Sequence, residues 1–245
     1  MRALLLDLDD TLLAYSAGVD ESWAEACGAA TLPVEAATLM AALVETRKWF
    51  WTGDPEQHAR ERVNMLGAWT KIAAEALVRC GCADDALAAA IARDYSARRR
   101  ESMRLFPETR AFLDALRDRG LPMALVTNGD AGQQRDKIER HDLARYFGAI
   151  VIEGEFGCGK PEERVYREAL RRLGIDPEGV WMVGDNLEWD VAAPQRLGLT
   201  GVWIDRAGAG LPADAGVSPH RIIRSLSELL EAERGTLPGL PSNTR

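Results

Sequence analysis

The residues DLDDT at positions 7–11 place two carboxylates, Asp7 and Asp9, two residues apart just beyond the apolar run ALLL at 3–6. In an extended backbone that spacing sends both side chains the same way. Two like charges in one site are costly unless a cation joins them or one takes up a proton. A helix N-cap would account for one acid, not for two beyond a buried strand. Three further stretches set polar groups after apolar runs. ALVTNG (124–129) ends in Thr127, Asn128 and Gly129, a hydroxyl, an amide and flexible N–H groups that can hold a phosphate and that are also common turn chemistry. GEFGCGKPEE (154–163) reads G-x-x-x-x-G-K, but Pro161 stands where a nucleotide-gripping loop needs a hydroxyl for its metal. GDNLEWD (184–190) puts Asp185 at the end of an apolar run and Asp190 about one helical turn further on. Either of these acids alone would be ordinary at a helix start, and a lone Lys160 would be ordinary in solvent.

The elements that must position these groups show in the rhythm of the chain. From residue 106 onward helix-like and strand-like runs alternate: PETRAFLDALRDRG then LPMALVT, AGQQRDKIERHD then GAIVIE, PEERVYREALRRLG then GVWMVGD, and WDVAAPQRLG then TGVWID. That pattern predicts an α/β fold, a Rossmann-like doubly wound parallel sheet with helices on both faces. Ligands bind such sheets at the carboxyl ends of the strands, where all four polar stretches fall. Pro161 is expected at the first position of the helix that follows Lys160. Residues 16–102 have a different texture, rich in Ala, Glu, Arg and Leu at helical spacing. Leu39, Leu43 and Thr46 share a face there, as do Ile72, Ala76 and Arg79. Turn signals at Pro33, Gly53-Asp54-Pro55 and residues 81–84 divide this block into about four helices with no strand. The expected organisation is an α/β core from 1–15 and 103–233, an inserted all-helical cap domain at 16–102, and a loose tail at 234–245.

Composition narrows the function classes. A chain of 245 residues that is 47% hydrophobic can bury a substantial core as one or two domains. The formal charge of −8 argues against nucleic acid or an anionic membrane as partner. The one dense basic run, Arg98-Arg99-Arg100, reads as a solvated helix face. Cys27, Cys80, Cys82 and Cys158 lack the paired C-x-x-C spacing of a zinc site and read as thiols of a reducing cytoplasm. His58, His141 and His220 have no metal-ligand spacing. MRALLLDLDD is too briefly apolar for a signal peptide, and no 18-residue apolar stretch exists. A cytoplasmic monomer or homodimer is the expectation.

Taken together, DLDDT, ALVTNG, Lys160-Pro161 and GDNLEWD resemble, in order, the four signature motifs of the haloacid dehalogenase-like (HAD) hydrolase superfamily. Those are D-x-D-x-T, a hydrophobic strand ending in Ser or Thr, a lysine before a helix, and G-D-x-x-x-x-D. The first and fourth are specific; the middle two count in company. The resemblance covers about residues 1–15 and 105–230, and the helical block lies where this family inserts its helical cap.

The resemblance implies that Asp7 is a nucleophile forming an aspartyl-phosphate, and that Asp9 protonates the leaving alcohol and then deprotonates water. It implies a Mg²⁺ held by Asp7, the backbone carbonyl of Asp9 and Asp185. Thr127 and the N–H groups near Asn128 and Gly129 would hold phosphate oxygens, Lys160 would neutralise charge, Asp190 would orient Lys160, and Thr11 completes the first motif. Family members that dehalogenate lack the second aspartate and use no metal, so Asp9 favours phosphate chemistry. The implied function is a Mg²⁺-dependent phosphatase acting on a small phosphorylated metabolite. A phosphomutase using the same intermediate is an alternative, and so is a non-catalytic binding protein, which would not need Asp9. Substrate identity is expected in the cap, at Arg47 and the aromatics Trp49 and Trp51, with His58 and Arg62. Rings there could stack on a base or sugar and cations could meet a second acidic group; packing within the cap explains the same residues. The cap is expected to hinge near residues 13–18 and 103–107.

Overall fold

The structure is a computed structural model, and it describes residues 1–234. Residues 235–245 of the expected tail lie outside the described residues. Strand β1 (Ala3–Leu6) is aliphatic throughout and buried on both faces, as a central strand covered by helices must be. After β1 come the two-residue strand β2 (Leu13–Ala14) and five helices, α1 (Val19–Ala29), α2 (Ala36–Thr52), α3 (Pro55–Glu61), α4 (Met65–Arg79) and α5 (Asp85–Ser102). Strand β3 (Arg104–Leu105) then runs antiparallel to β2, with Leu13 opposite Leu105. The two connections into and out of the helical block are thereby held side by side.

The remaining chain alternates: α6 (Thr109–Asp118), β4 (Met123–Thr127), α7 (Ala131–Arg140), β5 (Ala149–Ile152), α8 (Glu153–Phe156), α9 (Glu163–Leu173), β6 (Val180–Gly184), a π-helical turn (Leu187–Ala192) leading into α10 (Ala193–Arg196), β7 (Thr200–Ile204), β8 (Arg221–Ile223) and α11 (Ser227–Arg234). Six strands form one parallel sheet in the order β5-β4-β1-β6-β7-β8. The expected doubly wound parallel α/β core is therefore present. The chain builds outward from β1 in one direction, through β4 to β5, then returns to build in the other from β6. That reversal opens a crevice beyond the tip of β1. Leu6 stands opposite Leu125 of β4 and Val183 of β6, so the tips carrying the first, second and fourth polar stretches are neighbours.

One face of the sheet buries Leu4, Leu6, Leu125 and Val183 with Phe112 of α6; the other buries Leu5, Val126 and Met182 with Tyr166 of α9. Helix α9 supplies its stripe at Val165, Tyr166, Ala169 and Leu170, the i, i+4 spacing of one helical face. The helices of the 19–102 block bury a cluster of their own, including Trp23, Leu39, Leu43, Ile72, Ala76 and Tyr95. Truncating one of these large apolar side chains to alanine would cost about 2–5 kcal/mol.

Local details differ from the sequence reading. Five helices occupy the block rather than four, because Asn64 caps a new helix by accepting from Gly67 N–H at 3.2 Å. Pro161 does not begin α9. It lies two residues ahead, after a cis peptide bond, in a turn closed by Glu162 N–H to Gly159 O at 3.0 Å. The β2–β3 ribbon and β8 are too short to carry a readable period. Among the described residues no helix is long and apolar enough to cross a membrane.

Candidate active site

The tip of β1 aims Asp7 into the crevice, where it is 6% exposed. Thr11 donates to Asp7 Oδ2 at 3.0 Å, and Lys160 Nζ bonds Asp7 Oδ1 at 2.7 Å. Lys160, 1% exposed, also bonds Asp190 Oδ1 at 2.7 Å. Asp190 Oδ2 accepts from Asn186 N–H at 3.0 Å, so both of its oxygens are engaged. The main chain of Lys160 is clamped in turn: Asn128 donates to Lys160 O and accepts from Lys160 N–H, both at 2.7 Å. Two glycines make these approaches possible. A Cβ on Gly159 would meet Asn128 Oδ1 at 2.5 Å and Glu153 Oε1 at 2.6 Å, and one on Gly184 would meet Asp190 Cγ at 2.2 Å. Arg206, just beyond β7, steadies the turn after β1 by donating to the carbonyls of Asp10 and Thr11.

Carboxylate oxygens of Asp7, Asp185 and Asp190 lie within 4.8 Å of one another. Burial, opposed by Lys160 and reinforced by Asp190, pushes the Asp7 carboxyl up to about 7. Asp185 is an exposed residue, yet within the crevice its carboxyl is pushed up to about 8, by desolvation first and then by Asp7, Asp190 and Asp10. For Lys160, burial pulls the ammonium down, but Asp190 and Asp7 outweigh it and hold it above its ordinary value. One lysine cannot balance three carboxylates, and no hydrogen bond reaches the Asp185 carboxylate among the described residues. The excess negative charge and hard oxygen donors fit a divalent cation such as Mg²⁺, with Asp7 and Asp185 as its carboxylates. Asp190 is committed to Lys160 and Asn186.

Asp9 faces elsewhere. Its carboxylate receives Lys137 Nζ at 2.8 and 2.7 Å and Gln134 Nε2 at 3.1 Å, both from α7. What Asp9 can offer the cation is its main-chain carbonyl. Gln134 also donates to Thr127 Oγ1 at 2.6 Å and accepts from Lys137 at 2.6 Å, so one network joins the first two motifs. Neither residue was anticipated from the sequence. The signal was available: Gln134 and Lys137 occupy, with Ile138, the buried stripe of α7, where apolar residues are the rule.

The expected phosphate cradle is arranged differently from the sequence reading. Thr127 is 1% exposed and engaged by Gln134; the Asn128 amide serves Lys160; and Gly129 N–H donates to Glu153 Oε2 at 2.9 Å. Glu153 is thus a further unanticipated member. It also receives two bonds from Arg62, at 2.7 and 2.6 Å, and these tie the α3–α4 turn to the end of β5.

Above this floor lies a cavity of about 450 Å³ roofed by the helical block. Trp51, His58 and Arg62 line it, with the His58 ring 5.1 Å from Trp51 and 6.0 Å from Trp189. Trp49 does not line it; it is 54% exposed and lies beneath Arg79 on the outer surface. Arg62 is spent on Glu153 rather than free for a ligand. The Arg98–Arg100 run is not a uniformly solvated face either. Arg98 and Arg100 pair with Asp94 and Asp136 at the surface, but Arg99 is 1% exposed and lines the cavity.

The model of the haloacid dehalogenase-like hydrolase family matches residues 1–198. The chain belongs to that family. The resemblance and the hydrolase assignment expected from the four motifs are thereby borne out. Phosphoserine phosphatase of Thermus thermophilus is 35% identical over 252 residues, covering 95% of this chain and 99% of that protein. N-acylneuraminate-9-phosphatase of Rattus norvegicus is 36% identical over 136 residues, 55% of this HAD-like hydrolase and 54% of that protein. Among solved structures, the HAD-hydrolase YfnB of Bacillus subtilis, bound to magnesium, superposes with a TM-score of 0.77 at 21% identity, covering 94% of this chain and 97% of that one. A 2-haloacid dehalogenase of Pseudomonas syringae superposes with a TM-score of 0.64 at 25% identity, covering 97% of this chain and 100% of that one.

Proposed function

We propose that this HAD-like hydrolase is a Mg²⁺-dependent phosphatase that hydrolyses a small phosphomonoester through an aspartyl-phosphate on Asp7. The observation that carries this reading is Lys160 Nζ, buried and 2.7 Å from both Asp7 and Asp190, on a floor where three carboxylates gather. A buried cation beside a carboxylate nucleophile suits an anionic substrate. The phosphatases among its relatives support the same class. The dehalogenase neighbour shares the fold, but the motif resemblance ties dehalogenation to loss of the second aspartate, and Asp9 is present.

Asp7 attacks phosphorus as the bond to the leaving oxygen breaks. Thr11 and Lys160 fix the carboxylate for that approach. Bound at Asp7 and Asp185, Mg²⁺ would screen the repulsion between the carboxylate and the incoming phosphate. Asp9, protonated before the attack and held at the cavity by Lys137 and Gln134, gives that proton to the departing alkoxide. It then takes a proton from the water that attacks phosphorus and releases Asp7 with inorganic phosphate. Lys137 and Gln134 act as positioning residues for Asp9, and Asp190 and Asn128 do so for Lys160.

The test is phosphate release from a panel of phosphomonoesters with Mg²⁺ or with EDTA, for the wild type and for Asp7→Asn. Mg²⁺-dependent release that vanishes in a folded Asp7→Asn protein is expected. No release by the wild type, or equal release by the variant, would overturn the reading.

A further inference from the structure

Charge in the cavity is segregated. Every carboxylate that lines it belongs to the strand-end floor, whereas the helical residues 16–102 contribute Arg47, His58, Arg62 and Arg99 and no acid. The floor cations are matched: Lys160 by Asp7 and Asp190, Lys137 by Asp9. In the roof, Arg62 is matched by Glu153, which is buried. Arg47 and Arg99 are not matched in this way. Arg99 bonds the carbonyls of Tyr15 and Ala17 and the Ser102 hydroxyl, and among the described residues no carboxylate pairs with it. Arg47 pairs at 2.6 Å with Asp20, whose side chain is 65% exposed, and such solvated pairs are weak enough to exchange.

A buried guanidinium satisfied only by neutral acceptors leaves its charge unbalanced, which is costly away from water. Tyr95 lines the same cavity as the two arginines. Burial pushes its hydroxyl pKa up while Arg99 and Arg47 pull it back. The surrounding wall is aromatic: Trp23 stacks on Tyr95 at 3.9 Å, and Trp69 meets it edge-on at 5.1 Å.

We propose that Arg47, Arg99 and the Tyr95 hydroxyl form a second anion-binding subsite, so that the substrate is a phosphomonoester whose alcohol carries a further carboxylate or phosphate. This rests on the phosphatase reading. The phosphoryl group occupies the floor and the second anion faces the roof, with the aromatic wall flanking the body between them. Among the described residues no roof carboxylate lines the cavity to meet an ammonium, Asp20 lying outside it, so a phosphorylated amino acid gains chiefly from its carboxylate.

The experiment compares benzyl phosphate, 4-carboxybenzyl phosphate, 4-(aminomethyl)benzyl phosphate and 4-phosphonobenzyl phosphate with the Mg²⁺-loaded enzyme. A charge-assisted contact predicts kcat/KM roughly ten- to hundredfold higher for an anionic compound than for benzyl phosphate, chiefly through KM, with the amine disfavoured. Whichever of the carboxylate and phosphonate is preferred identifies the anion. In Arg47→Gln the preference collapses toward one. Arg47 is chosen because Arg99 also ties the chain entering α1. Calorimetric binding to Asp7→Asn, which cannot turn over, should show the same order of affinities. Turnover of all four compounds at similar efficiency, or an unchanged preference in Arg47→Gln, overturns the subsite and leaves the phosphatase reading standing. No Mg²⁺-dependent turnover of any of them overturns both.

Discussion

Replacing Lys137 with methionine keeps the length of the side chain and removes the ammonium that both Asp9 oxygens share. Lys137 is 4% exposed and the Asp9 side chain 25%, so water can reach the orphaned carboxylate in part. A fully buried pair broken in this way costs about 3–5 kcal/mol. Partial rehydration of Asp9 brings the expectation here to roughly 1–3 kcal/mol, a fall in Tm of about 2–12 °C for a chain of this size. The kinetic effect should depend on the leaving group. General acid–base assistance is worth about 10²–10⁴, and a misaimed Asp9 forfeits part of it, so kcat for an alkyl phosphate should fall about 10- to 100-fold. Nitrophenolate departs without a proton, so the loss on 4-nitrophenyl phosphate should be smaller. The assay is steady-state phosphate release on both substrates at one pH, with the melting temperature measured alongside. Equal losses on the two substrates would refute the assignment of Lys137 to Asp9 and leave it a purely structural cation.

The pH dependence of metal binding and the spacing at Gly184 provide further checks. Burial and the neighbouring carboxylates push the Asp7 and Asp185 carboxyls up from the ordinary 3.8 to about 7 and about 8. A carboxyl whose folded pKa is raised binds its proton more tightly when folded, so the metal-free protein loses stability as pH climbs from about 4 through 8. Mg²⁺ competes with those protons, and its stabilising shift in Tm should therefore be larger at pH 8.5 than at pH 5.5; a shift as large at pH 5.5 contradicts the site. Gly184→Ala sets a methyl 2.2 Å from Asp190 Cγ. Relieving that overlap should cost about 1–3 kcal/mol, lower Tm by roughly 2–12 °C and release Lys160 with loss of turnover, as read by calorimetry and the phosphate assay. An active, equally stable variant would show that the Asp190 contact is dispensable.

Local pattern alone determined a good deal of this protein. Alternating apolar and helical runs identify the parallel sheet, and chain order places DLDDT, TNG, Lys160 and GDNLEWD at strand ends, because a side chain's position along a strand or helix follows from local periodicity. The near-miss to a nucleotide loop at GEFGCGKP is resolved the same way, since Pro161 has no hydroxyl. Which groups meet across the fold is another matter. Lys137 binds Asp9 from 128 residues away and Arg62 binds Glu153 from 91, and nothing local in sequence encodes such distances. The same applies to orientation. Asp7 and Asp9 share a spacing that points them one way in an extended strand, yet only Asp7 joins the three-carboxylate cluster, because β1 has ended by Leu6 and α7 offers Asp9 a cation. Arg99 sits in the middle of a basic run that looks solvated, and only the packing of α5 against the chain entering α1 buries it. Burial is a property of the whole packed surface. Its cost for an ionised group is what turns a readable list of aspartates, lysines and arginines into a site with a floor that draws cations and a roof that draws anions.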